Sequence, residues 1–90
     1  MYQKTTFVAN KAGIHCRPSA ILYNAFSPYQ NDNELYLGRK NDKTKVNGIL
    51  DIIALGLQCG EEVTITGTGN QEKEIVEKIA ELLETHFDFK

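Results

Sequence analysis

His15 and Arg17 stand one residue apart in Gly13-Ile14-His15-Cys16-Arg17-Pro18, and they are the residues whose chemistry can be argued first. A histidine that attacks phosphorus must be neutral, with a ring-nitrogen lone pair free. A guanidinium beside it disfavours the imidazolium and keeps the nucleophile available. Once a dianionic phosphoryl group is on the ring, the same guanidinium can donate hydrogen bonds to its oxygens. The pair therefore suits both states of a phosphoryl shuttle.

Two flanking elements have to position this pair. Tyr2 to Ala9 mixes β-branched and aromatic residues with polar ones and reads as a strand. Asn10-Lys11-Ala12-Gly13 follows as a loop, with Gly13 supplying the permissive backbone for the swing from strand to helix. A helix is expected from Cys16 to about Ser27, because proline is tolerated in a first turn where N–H groups have no intrahelical partner. His15 and Arg17 then fall at or just before a helix N-terminus, where orphan amides and the positive end of the macrodipole favour an anion. The backbone amides of Cys16 and Arg17 are the candidate phosphate contacts. Cys16, in a first turn beside an arginine, has the setting of a lowered thiol pKa; it reads either as a small residue tolerated there or as a redox-sensitive neighbour of His15.

Gly-Ile-His-Cys-Arg-Pro-Ser-Ala, placed after a first strand and near residue 15 of a chain of this length, strongly resembles the phosphocarrier HPr family and its Gly-x-His-x-Arg-Pro-Ala-type motif. The resemblance runs along essentially the whole chain, including Ala54-Leu55-Gly56 and Gly67-Thr68-Gly69. It implies a carrier that takes a phosphoryl group from enzyme I onto a ring nitrogen of His15, tele or pros, and passes it to an enzyme IIA-type acceptor of a phosphotransferase system such as those of sugar transport. Arg17 would stabilise the phosphate. The resemblance implies no cofactor and no enzyme activity of the chain's own, since the partners' active sites perform the chemistry.

The remaining elements follow from periodicity. In the first helix Ile21, Leu22, Ala25 and Phe26 form one stripe, and Pro28 ends it. Glu34 to Gly38 and Thr44 to Val46 read as strands around the turn Asn41-Asp42-Lys43. Asn47 is the expected N-cap of a helix from Ile49 to about Leu55. That helix is apolar nearly all round, and two turns on a small domain cannot bury both faces. Its Ile49, Leu50 and Ile53 are therefore expected to form a partner-docking patch, beside the active histidine if the resemblance holds. Glu61 to Thr66 alternates as a strand, with Val63 and Ile65 inward and Glu62, Thr64 and Thr66 outward. Gly67-Thr68-Gly69 reads as a loop and Asn70 as the cap of a last helix striped by Ile75, Val76, Ile79, Leu82 and Leu83. The order β-α-β-β-α-β-α predicts an α+β open-faced sandwich, four antiparallel strands covered on one face by three helices.

Ninety residues suffice for one domain, taken as residues 1–90, and for one modest core. The net charge of −2 comes without a basic stripe, so nucleic-acid binding is not expected. No apolar run approaches the roughly 20 residues of a membrane span, and no secretory leader is visible. A cytoplasmic monomer is expected. With Cys16 and Cys59 the only cysteines, a structural disulfide is not expected there. His15, Cys16, Cys59 and His86 show no metal-ligand spacing, so no metal is expected, and His86 reads as an exposed residue near a helix C-terminus.

Two residues depart from the resembled pattern. Many family members carry a regulatory serine at the start of the second helix; Gly48 takes that place, and no hydroxyl residue lies between Thr44 and Thr64. Ala12 stands where a polar residue near the phosphate is common. The missing serine and the Asn-Lys-x-Gly lead also resemble the nitrogen-related branch, in which the carrier mainly regulates. A regulatory binding module that carries no phosphoryl group is the rival reading.

Overall fold

The structure, a computed structural model, describes residues 1–10, 13–14, 16–39 and 42–85; the side chains of residues 16, 17 and 42 are outside that description. The chain runs β1 (Tyr2–Phe7), α1 (Cys16–Phe26), a 3-10 turn (Ser27–Tyr29), β2 (Asn33–Arg39), β3 (Asp42–Lys45), α2 (Ile49–Leu55), β4 (Glu62–Gly69) and α3 (Glu72–Leu83). The strands form one antiparallel sheet in the order β1-β4-β2-β3. This is the expected open-faced sandwich. Asp42 and Lys43, expected in a turn, are instead the first residues of β3; Asn41 lies outside the described residues.

Burial explains which face the helices cover. Val63 and Ile65 of β4 and Leu35 and Leu37 of β2 are fully buried, and all point to the same side. On that side they meet Leu22 and Phe26 of α1, Ile52 of α2, and Ile75, Ile79 and Leu83 of α3. Burying each such side chain is worth about 1.5–3 kcal/mol. The α1 stripe is turned slightly from expectation: Pro18, Ser19, Leu22 and Phe26 are buried, while Ile21 and Ala25 are half-buried. On the open face, Thr66 is buried rather than exposed, because it lies in a central strand between Gln3 and Tyr36.

The largest correction concerns Gly67-Thr68-Gly69. These residues are not a loop; they pair with both Tyr2 of β1 and Asn33–Leu35 of β2 as the end of β4. A Cβ on Gly67 would lie 2.8 Å from Val76 Cγ2 and 3.1 Å from the Glu72 carbonyl oxygen. The glycine lets α3 seat closely on the sheet, a packing requirement that looks like turn punctuation in sequence.

Both expected asparagine caps are replaced. Gly48, not Asn47, caps α2, and the Asp51 carboxylate accepts the N–H groups of both at 2.9–3.0 Å. At α3, Gln71 stands at the cap in place of Asn70, and its N–H donates to Asn33 Oδ1 at 2.9 Å. The buried Asn33 amide also donates to Tyr29 O and Gln71 Oε1.

Side chains of β1 are fastened to α3 through carboxylates. Tyr2 Oη and Lys4 Nζ donate to Glu77, Thr6 Oγ1 to Glu84, and the terminal ammonium pairs with Glu72 at 2.8 Å. The Tyr2 hydroxyl, then Lys4, holds Glu77 below its usual 4.5, and the terminal ammonium does the same for Glu72. Carboxyls lowered by folding stabilise above about pH 4.5 and lose that contribution as pH falls through their folded values. Urea midpoints should therefore drop on acidification below that pH, and Glu77→Gln should flatten the drop. An acid limb of unchanged slope in the variant would show that this latch plays no part.

Candidate functional site

The end of β1 leads into the motif through a turn held by an asparagine. Asn10, 4% exposed, donates from its side-chain amide to Gly13 O at 2.7 Å, while Gly13 N–H donates to Asn10 O at 2.9 Å. Burying that amide costs little because it is bonded. Gly13 has φ of +78°, a region that side-chain-bearing residues rarely adopt, and its would-be Cβ lies 2.6 Å from the Leu57 carbonyl oxygen. The glycine is required twice, for its dihedral and for its contact.

Ile14 is anchored next. Its side chain is buried, and its N–H donates to Leu57 O at 2.8 Å. α1 starts two residues later, at Cys16. His15 itself lies outside the described residues, as do Ala12, His86 and the side chains of Cys16 and Arg17. What is described is the frame on either side: a pinned Ile14, and the first turn of α1 carrying residues 16 and 17.

The segment after α2 forms the facing wall. Gly56 closes α2 in the left-handed conformation, and Leu57 O receives the Ile14 N–H. Gly60 N–H donates to Val8 O, and Val8 N–H to Glu61 O, which ties the wall to the end of β1. Arg39 and Glu61 are ion-paired across it. The Arg39 guanidinium, then the Gln58 N–H, holds the Glu61 carboxyl below the usual range. Cys59 is free and exposed, its Sγ 3.9 Å from Ala9 O.

α2 packs beside α1. Of its apolar residues, Ile52 is fully buried, Ile49 and Ile53 are half-buried, and Leu50 is 76% exposed. Leu50 is thus a large apolar side chain presented to solvent on a helix next to α1. Among the described residues, no group of three or more His, Cys, Asp or Glu is placed to hold a metal ion.

Sequence reasoning read Asn10 as a loop residue and as the start of the Asn-Lys-x-Gly lead, gave it no structural role, and did not single out Arg39 or Glu61. The Asn-x-x-Gly spacing was a usable signal, since asparagine side chains commonly bond backbone a few residues on. No local signal marks the Arg39–Glu61 pair, whose members are 22 residues apart.

A family model described as the PTS HPr component phosphorylation site matches residues 2–85. The chain belongs to the HPr family. It is 30% identical over 88 residues to the phosphocarrier protein HPr of Treponema pallidum, covering 98% of each chain. Among solved structures it is similar to HPr-C-His of Thermoanaerobacter tengcongensis, with a TM-score of 0.83 and 27% identity over 93% of this chain and 92% of that one. An HPr dimer from the same organism matches with a TM-score of 0.66 and 27% identity, covering 93% and 94%. Membership supports a phosphocarrier role in the phosphotransferase system.

Proposed function

We propose that the chain, acting as one domain over residues 1–90, accepts a phosphoryl group from phospho-enzyme I on His15 and hands it to an enzyme IIA-type acceptor. The observation that carries this is the frame on either side of residue 15, with Gly13 bonded to Asn10, Ile14 N–H bonded to the Leu57 carbonyl and α1 opening at Cys16. A nucleophile gains most when its backbone is held before the reaction, since positioning accounts for much of a phosphoryl transfer barrier. Arg17 and the amides of residues 16 and 17 take the role of phosphate donors.

Docking is assigned to Ile49, Leu50 and Ile53 on α2. The exposure of Leu50 beside α1 supports that assignment. The partners' active sites would perform the chemistry, and the carrier would supply a nucleophile and a surface. The chain works in the cytoplasm as a monomer, although a relative forms a dimer; among the described residues, no helix is long and apolar enough to cross a membrane.

A relay assay tests this function. Phosphoenolpyruvate, enzyme I and an isolated enzyme IIA are combined with and without the chain. Label is expected on enzyme IIA only when the chain is present. A chain that takes no label from enzyme I and passes none on would favour the second reading, a nitrogen-branch-like regulatory binding module that acts chiefly by docking partner proteins. Gly48 at the place of the regulatory serine supports that alternative.

A further inference from the structure

The wall against Ile14 is loose by composition and yet has to hold one carbonyl still. Gly56 and Gly60, at φ of +58° and +88°, bracket Leu57, Gln58 and Cys59. Glycines leave such a segment with more conformational freedom to lose than other residues would. The Leu57 carbonyl nevertheless receives the Ile14 N–H, and lies where a Cβ on residue 13 would stand only 2.6 Å away.

Arg39, at the end of β2, supplies the constraint. Its Nη2 donates to Gly56 O at 3.1 Å, and its Nε and Nη2 reach the two oxygens of Glu61. Glu61 Oε1 in turn accepts the Gln58 N–H at 2.7 Å. One guanidinium–carboxylate pair therefore fixes the carbonyl before Leu57 and the amide after it. A planar guanidinium holds both points at once where an ammonium would hold them less firmly, because its donors are arranged in a rigid fork. Both side chains are partly exposed, at 37% and 27%, and such pairs contribute little to global stability. Their effect is local.

We infer that Arg39 and Glu61 are positioning residues of the phosphoryl-carrying site, acting through the Leu57 carbonyl on Ile14, the residue before His15. This rests on the carrier reading above. Arg39 reaches α2 only at its closing residue, through Gly56 O, and not at the exposed Leu50, so the pair should influence the transfer step more than recognition.

Arg39→Gln, the milder Arg39→Lys, and Glu61→Gln are compared with the unmodified chain in enzyme I-driven phosphorylation and in amide hydrogen exchange. Arg39→Gln should keep its KM within twofold while kcat falls about tenfold, since small misplacements of reacting groups are costly. Exchange of the Ile14 amide should accelerate about tenfold, with the amides of α3 unchanged. Glu61→Gln should behave like Arg39→Gln, and Arg39→Lys should recover part of the loss. If kcat stays within twofold, if KM alone rises, or if Ile14 exchange does not change, the inference is overturned. Should Arg39→Gln fail to fold, Arg39→Lys carries the same two readouts. An unmodified chain that accepts no phosphoryl group would overturn the carrier reading instead, leaving the clamp to stand or fall on Ile14 exchange.

Discussion

Gly13→Ala is expected to cost the chain both stability and carrier activity. Alanine at φ of +78° is strained, and its Cβ would sit 2.6 Å from the Leu57 carbonyl oxygen. Left-handed strain of about 1–3 kcal/mol adds to the loss of a hydrogen bond when that carbonyl moves, giving roughly 2–4 kcal/mol in urea denaturation. The Ile14 bond is the one at risk, so the backbone entering residue 15 should shift. A displacement on the order of 1 Å costs about 100-fold in rate, which should appear as a fall in kcat for enzyme I-driven phosphorylation. A variant within 1 kcal/mol of the parent, with unchanged transfer, would mean that the turn at Gly13 does not position the site.

Leu50→Glu should do the reverse, sparing the fold and damaging recognition. The side chain is 76% exposed, so stability should change by no more than about 0.5 kcal/mol. A central apolar anchor of an interface is worth about 2 kcal/mol or more, equivalent to roughly 30-fold in affinity. KM for enzyme I should therefore rise by about that factor with kcat little altered, as read by steady-state phosphorylation. A KM within twofold would remove α2 from the docking surface. Together the two variants separate holding the nucleophile from presenting it.

Some of this was legible in the sequence because the governing physics is local. The stripe of α3 is a strong periodic signal, and Ile75, Val76, Ile79 and Leu83 are buried where the pattern puts them. The motif around His15 is likewise contiguous, so its chemistry could be argued from residue types alone. The failures share a different cause. Gly67 and Gly69 look like punctuation, yet one makes room for Val76 and the other for Asn33. Asn70 and Asn47 look like caps, but Asn33 serves α3 from 38 residues away and Asp51 serves α2 from inside the helix. The wall that fixes Ile14 depends on Arg39 and Glu61, which only the antiparallel order β1-β4-β2-β3 and the loop before β4 bring together. Contacts of this kind have no local signature.

Intact mass after incubation with phosphoenolpyruvate and a general enzyme I, alongside a His15→Ala control, addresses the assignment of the nucleophile. The carrier reading predicts one phosphate adduct, stable in base, labile in acid and absent from the control. An adduct that persists in His15→Ala would place the phosphoryl group on another residue. No adduct with several enzyme I proteins would contradict the carrier function itself.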